Sequence, residues 1–145
     1  MTEAGTATRA VRPSLGWRAT LWIAQILLSL LYGAAGAMKS IATPEALATM
    51  GVAYATDIPF WLLRFIGYSE LAGAVGIVLP ALIGVKPGLT PLAAAGFSII
   101  QVLAIGFHIM RGETNALSMN LPLLGLSLFV LWGWIRRSPV ASRGR

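Results

Sequence analysis

Four stretches of the chain run apolar for long enough to predict helices, and the polar positions between them predict where those helices begin and end. The first stretch is Ala19 to Met38, without a charge; the second runs from Phe60 to Ile83 and contains Arg64 and Glu70. The third, Pro91 to Met110, is again free of charge, and the fourth extends from Leu117 or Leu121 to Ile135. A helix needs about 20 residues to cross a hydrocarbon layer about 30 Å thick, so each stretch is long enough to span a membrane. Thr90-Pro91, Asp57-Ile58-Pro59 and Asn120-Leu121-Pro122 each put a capping side chain just ahead of a proline, which suits a helix start. Gly112 suits the end of the third helix, whereas Pro122 either opens the fourth or interrupts one begun near Asn115. In the first loop, Thr43-Pro44-Glu45 predicts a short surface helix that Gly51 stops. The expectation is an all-α membrane protein. Its four-helix transmembrane bundle occupies residues 15–137, a short surface helix lies across the first outer loop, and flexible tails lie at 1–14 and 138–145.

Composition agrees with this pattern and removes several classes of function. Hydrophobic residues make up 57% and charged residues 11%, against about 45 to 50% and 25% in an average soluble domain. That excludes an ordinary soluble globule, and such high hydrophobicity excludes disorder. With no cysteine in the chain, a disulfide framework, a thiol redox centre and a zinc-thiolate site are all excluded. One histidine and scattered carboxylates give no reason to expect a metal site. The net charge of +6 would suggest nucleic acid in a soluble protein, but the basic residues sit at the span ends. Arg9, Arg12, Arg18, Lys86, Arg136, Arg137, Arg143 and Arg145 fall on one side, while Lys39 and Arg111 fall on the other, with Arg64 just inside the second span. The positive-inside rule therefore places both termini in the cytoplasm and assigns the charge to topology and anionic lipid, not to nucleic acid. Trp17, Trp22, Trp132 and Trp134 then mark the inner interface and Trp61 the outer one. The basic lead and the run ending in Ala35-Gly36-Ala37 imitate a secretory signal, but the apolar stretch exceeds the usual length of about 7 to 15 residues, so an uncleaved first span is expected.

The polar residues inside the spans carry the candidate chemistry. A charge at a helix centre costs about 2.5 to 3.5 kcal/mol of insertion free energy, whereas a large apolar residue returns about 0.3 to 0.6. At about 1.5 Å of rise per residue, Arg64 lies roughly 6 Å inside the second span and Glu70 roughly 15 Å inside, near the midplane. Arg64 is placed to snorkel outward to the headgroups, but Glu70 reaches neither surface and needs a partner on another helix or a proton. The two lie about 120° apart around their helix, too far for a direct pair. Gly67, Gly73 and Ala74 share the Glu70 face and allow close helix approach. Gln101 on the third span has a matching depth, so a Glu70 to Gln101 hydrogen bond is expected. His108 has roughly the depth of Arg64, and Tyr32 and Lys39 come from the first span towards the same side. A polar funnel, wide outside and ending at Glu70, is the resulting picture. The plainer reading makes Glu70 an interhelical tie, and His108, Arg111 and Glu113 solvated residues at a helix end.

Three short motifs resemble the DoxX-like family of small four-helix bacterial membrane proteins. They are Gly33-Ala34-Ala35-Gly36-Ala37-Met38-Lys39, Arg64-Phe65-Ile66-Gly67-Tyr68-Ser69-Glu70-Leu71-Ala72-Gly73 with Pro80 beyond it, and His108-Ile109-Met110-Arg111-Gly112-Glu113. The resemblance covers about residues 15 to 135. It implies an integral protein of a bacterial inner membrane, in a family named after a subunit of a thiosulfate:quinone oxidoreductase and linked to redox and oxidative-stress complexes. Gly36, Lys39, Arg64, Gly67, Glu70, Gly73, His108, Arg111 and Glu113 match its motifs, but the family assigns them no proven chemical role.

Three functions follow as expectations. The first is an accessory or anchor subunit of a membrane redox system, touching quinone, in which Glu70, Arg64 and His108 line the pocket and an oxidoreductase is the partner. The second is a binder or carrier of a small or lipid-like molecule, gated by Glu70. The third, an enzyme that uses Glu70 as proton donor and acceptor, lacks an orienting constellation. The sequence encodes no cofactor of its own, leaves homo-oligomerisation open, and offers Gly33, Gly36, Gly67 and Gly73 for helix packing.

Overall fold

The computed structural model describes residues 14–86 and 88–137, so apart from Ser14 the expected tails lie outside the described residues. Among the described residues there are five α-helices: α1 Leu15–Ile41, α2 Pro44–Thr49, α3 Phe60–Ile83, α4 Leu89–Met110 and α5 Leu117–Trp132. Short 3-10 turns at Ala53–Thr56 and Thr114–Ala116 join them, and a π turn at Gly133–Arg137 continues α5. Among the described residues, four segments are long and apolar enough to cross a membrane: Leu15–Ile41, Phe60–Ile83, Leu89–Met110 and Thr114–Arg136. The four-span expectation therefore holds, and the surface helix forms as α2.

The helix starts differ from those expected. Ser14 caps α1 by accepting from the Trp17 amide, so α1 starts several residues before Ala19. Pro59, not Asp57, is the N-cap of α3, and the Asp57 carboxylate instead accepts from Arg111. α4 starts at Leu89 after Gly88, which leaves Thr90 inside the helix and buried. α5 starts at Leu117, so Asn120 caps nothing and Pro122 lies within the helix. In α4, Pro91 falls in the first turn, where proline is tolerated because the amides there have no helical partner anyway. The left-handed backbone at Gly51 and Gly112, with φ of 94° and 71°, ends the segments where expected.

The helices pack in a ring in which α1 meets α3, α3 meets α4, α4 meets α5, and α5 returns to α1. Leu28, Tyr32, Ala74, Ile77, Ala94, Phe97 and Val130 fill its centre. Ile23, Leu30, Phe65, Leu82, Leu103 and Ile109, by contrast, point outward. A soluble protein rarely leaves so much apolar surface uncovered, whereas lipid covers it without cost. The loop between α1 and α3 has its own small core, in which Leu47, Ala55 and Leu63 are fully buried. It meets the α4–α5 turn at one end of the bundle, called here the loop end.

Close contact between α1 and α3 depends on two glycines. A Cβ on Gly36 would lie 2.8 Å from the Gly67 carbonyl oxygen and 2.9 Å from the Leu71 amide, and one on Gly67 would lie 2.8 Å from the Ser40 hydroxyl and 3.0 Å from the Gly36 carbonyl. Gly73 makes room for the Phe97 ring, while at Gly33 a Cβ would meet only an ordinary contact, Ala74 Cβ at 3.7 Å. Gly36→Ala should therefore destabilise the bundle by about 1 to 3 kcal/mol, because backbone and not a yielding side chain opposes the added methyl. Gly106→Ala, with nothing within 4 Å, should be neutral or slightly stabilising. Thermal unfolding in detergent, followed by circular dichroism, separates the two.

Candidate functional site

The site grows from the direction in which helical side chains lean. Each points back towards its own helix N-terminus. α1 runs towards the loop end and α3 runs away from it, so Lys39 leans into the bundle and Glu70 leans out to meet it. The glycine contact lies one turn from each residue, at Gly36 and Gly67, and brings the two backbones close enough for the pair to close. Lys39 Nζ donates to both carboxylate oxygens of Glu70, at 2.6 and 2.8 Å. The two residues are only 9% and 4% exposed, so the pair lies inside the bundle, away from acyl chains.

The expected Glu70 to Gln101 bond is not formed. Gln101 Nε2 donates instead to the Tyr32 hydroxyl at 2.7 Å, with the Ser127 side chain beside the same hydroxyl. A charged partner meets the needs of a buried carboxylate better than a neutral amide does. Arg64 reaches the end of α1. Its Nη1 donates to the Lys39 carbonyl at 2.5 Å and its guanidinium lies 4.5 Å from the centre of the Phe60 ring. The last carbonyls of α1 have no helical donors, and the negative end of the helix dipole lies there, so a guanidinium suits the place. The same favourable end charge applies to Lys39, in the last turn of α1.

Two further tiers lie above and below the pair. Towards the loop end, His108 Nδ1 lies 2.7 Å from a Glu113 oxygen, and Arg111 bridges Glu113 at 2.7 Å and Asp57 at 2.6 Å. His108, Arg111 and Glu113 are thus joined to one another and to the first loop, not simply solvated. Away from the loop end, Gln25 donates to the Ile77 carbonyl at 2.6 Å and Ser29 to the Ala74 carbonyl at 2.8 Å, which ties α1 to α3 twice more.

Sequence reasoning missed Tyr54. It stands on the 3-10 turn, near the Lys39 ammonium, with its ring edge-on to Phe107 and His108 at centroid distances of 5.8 and 5.7 Å. Burial pushes its phenol above the ordinary 10.0, and the Lys39 charge pulls it partly back. A tyrosine in a short extramembrane loop carries no periodic signal that would have singled it out. Asp57 was read only as a cap. The expected funnel is closed, since Tyr32, Lys39, Glu70 and Gln101 are each at most 9% exposed and fill the space between the helices.

These features define a multi-pass membrane protein of four crossing helices that carries a buried lysine–glutamate pair between its first and second spans. The sequence pattern of the DoxX-like family matches residues 23–130, and the chain belongs to that family. Comparison with curated proteins and with solved structures gives no match.

Removing one partner of a buried pair leaves an uncompensated charge, a loss of about 3 to 5 kcal/mol. Lys39→Met and Glu70→Leu should each cost that much, while the double variant should recover most of the loss, as read from unfolding midpoints in detergent. For Glu113, the hydrogen bond from Arg111, and after it the one with His108, holds the carboxyl below its ordinary 4.5. Its contribution to the loop-end cluster is therefore complete above pH 4.5 and is lost as pH falls through the lowered value. Carboxyl-carbon NMR should show Glu113 titrating below 4.5 and moving up towards it in Arg111→Ala.

Proposed function

We propose that this DoxX-like protein is an accessory or anchor subunit of a membrane redox system, quinone-linked or concerned with oxidative stress, in a bacterial inner membrane. Its termini face the cytoplasm, on the side that the basic residues favour. The observation that carries this reading is the Lys39–Glu70 pair. Both carboxylate oxygens and the ammonium are used between α1 and α3, so the costliest polar groups of the spans hold helices together. Arg64, Gln101 and His108 are likewise engaged within the chain. Side chains so committed do not fit a quinone head group, which needs free donors. A quinone link therefore runs through a partner enzyme and not through Glu70. The redox association is what the resemblance to the DoxX-like family implies.

A second reading, a binder or carrier of small or lipid-like molecules, is favoured by the polar residues that lead from Glu113 through His108 and Tyr54 to Lys39. It requires the pair to open, and Glu70→Gln should then abolish binding or uptake.

Purification from native membranes in mild detergent tests the first reading. A redox enzyme should copurify in fixed ratio, and deletion of the gene should change quinone-linked activity of the membranes. A protein that purifies alone, together with unchanged quinone reduction in the deletion strain, would overturn it.

A further inference from the structure

The surroundings of the Lys39–Glu70 pair are sealed unequally at the two ends. Away from the loop end, Leu28, Ile77 and Val130 are fully buried, and Tyr32 lies flat on Phe97 with ring centres 3.7 Å apart. That side is filled by buried side chains, with the polar Gln25, Thr90, Gln101 and Ser127 enclosed among the apolar ones. Towards the loop end, Lys39 lies in the last turn of α1, and near it stands Tyr54, a half-buried ring on a single 3-10 turn.

The segment that bears Tyr54 is fastened differently along its two edges. On the α3 edge, Leu47 and Ala55 pack on Leu63, and all three are fully buried. On the α4 edge, the fastening consists of the edge-on contacts of Tyr54 with Phe107 and His108 and of the ion pair between Asp57 and Arg111. The side chains of that ion pair are 49% and 28% exposed, so water and salt screen it. One edge is a hinge of buried apolar contacts and the other a latch of exposed charge.

We propose that residues 42–59 form a latched cover that admits water-borne solutes to the Lys39–Glu70 pair from the loop end alone. Asp57 parts from Arg111, Tyr54 withdraws from His108, and the Lys39 ammonium becomes reachable. Arg64 from α3 stands beside Lys39, and His108 from α4 stands beside Tyr54. The proposal concerns access only and is independent of the accessory role proposed above.

The chain carries a built-in pair of reporters, because its two lysines are Lys39 and Lys86. Lys86 is exposed in the turn between α3 and α4, at the opposite end of the bundle. The full chain, reconstituted in phosphatidylcholine vesicles, is treated from outside with a membrane-impermeant amine-reactive ester and read by top-down mass spectrometry. Labels at Lys39 and Lys86 should fall on different molecules, since each inserted chain presents one face to the reagent. Lys39 should react more slowly than Lys86. Its rate should rise about two- to fivefold in Asp57→Asn and in Arg111→Gln, the range expected when a screened ion pair is lost. A similar rise should follow in the unaltered chain as salt approaches about 1 M, where the screening length falls to about 3 Å. The salt series decides the matter alone if either variant does not fold. A Lys39 rate indifferent to both substitutions and to salt would overturn the proposal, as would molecules labelled at Lys39 from the face that exposes Lys86.

Discussion

A lysine and a glutamate sharing two hydrogen bonds between α1 and α3 set the terms for the rest of this bundle. Where no water reaches them, neither is tolerable alone, and their mutual attraction is strong only if the geometry is close and fully paired. Much of the surrounding structure meets that condition. Gly36 and Gly67 let the helices approach, the opposite directions of α1 and α3 aim the two side chains at each other, and Arg64 takes up the carbonyl of the lysine itself. Each of these features would be unremarkable separately. Together they make the first two spans a single unit.

The same economy runs through the other tiers. Gln101 donates to Tyr32 between α4 and α1, and Gln25 and Ser29 find carbonyls on α3 that already serve their own helix but retain a lone pair. A membrane bundle gains little from apolar burial between helices, because lipid is as apolar as the core, so hydrogen bonds and close packing provide specificity instead. The loop end follows a different rule. There Leu47, Ala55 and Leu63 form an ordinary water-driven core, and exposed charges complete the edge.

Much of this was legible beforehand, and particular residues show why. Runs such as Ala19 to Met38 and Pro91 to Met110 leave no alternative to a spanning helix, since unpaired backbone cannot exist in hydrocarbon. The depth of Glu70 followed from counting residues, and so did its need for an inward partner. The identity of that partner did not. Gln101 matched it in depth, but Lys39, nominally a residue near the membrane surface, reached it because its long side chain leans back along α1. The role of Arg64 was missed for a related reason: its acceptor is a main-chain oxygen on another helix, and main-chain atoms carry no mark in a sequence. Tyr54 and the ion pair of Asp57 were missed because Phe107, His108 and Arg111 lie fifty residues or more away, at the end of α4.

What the order of amino acids determined was therefore the solvent, the number of crossings and the residues too costly to face lipid, because each depends on hydropathy summed along one helix. What the folded bundle alone decided was which polar group meets which. That choice turns on the spacing and direction of helices distant in the chain, on two absent methyl groups at Gly36 and Gly67, and on a loop that folds over the end. No sum along a single helix contains those quantities.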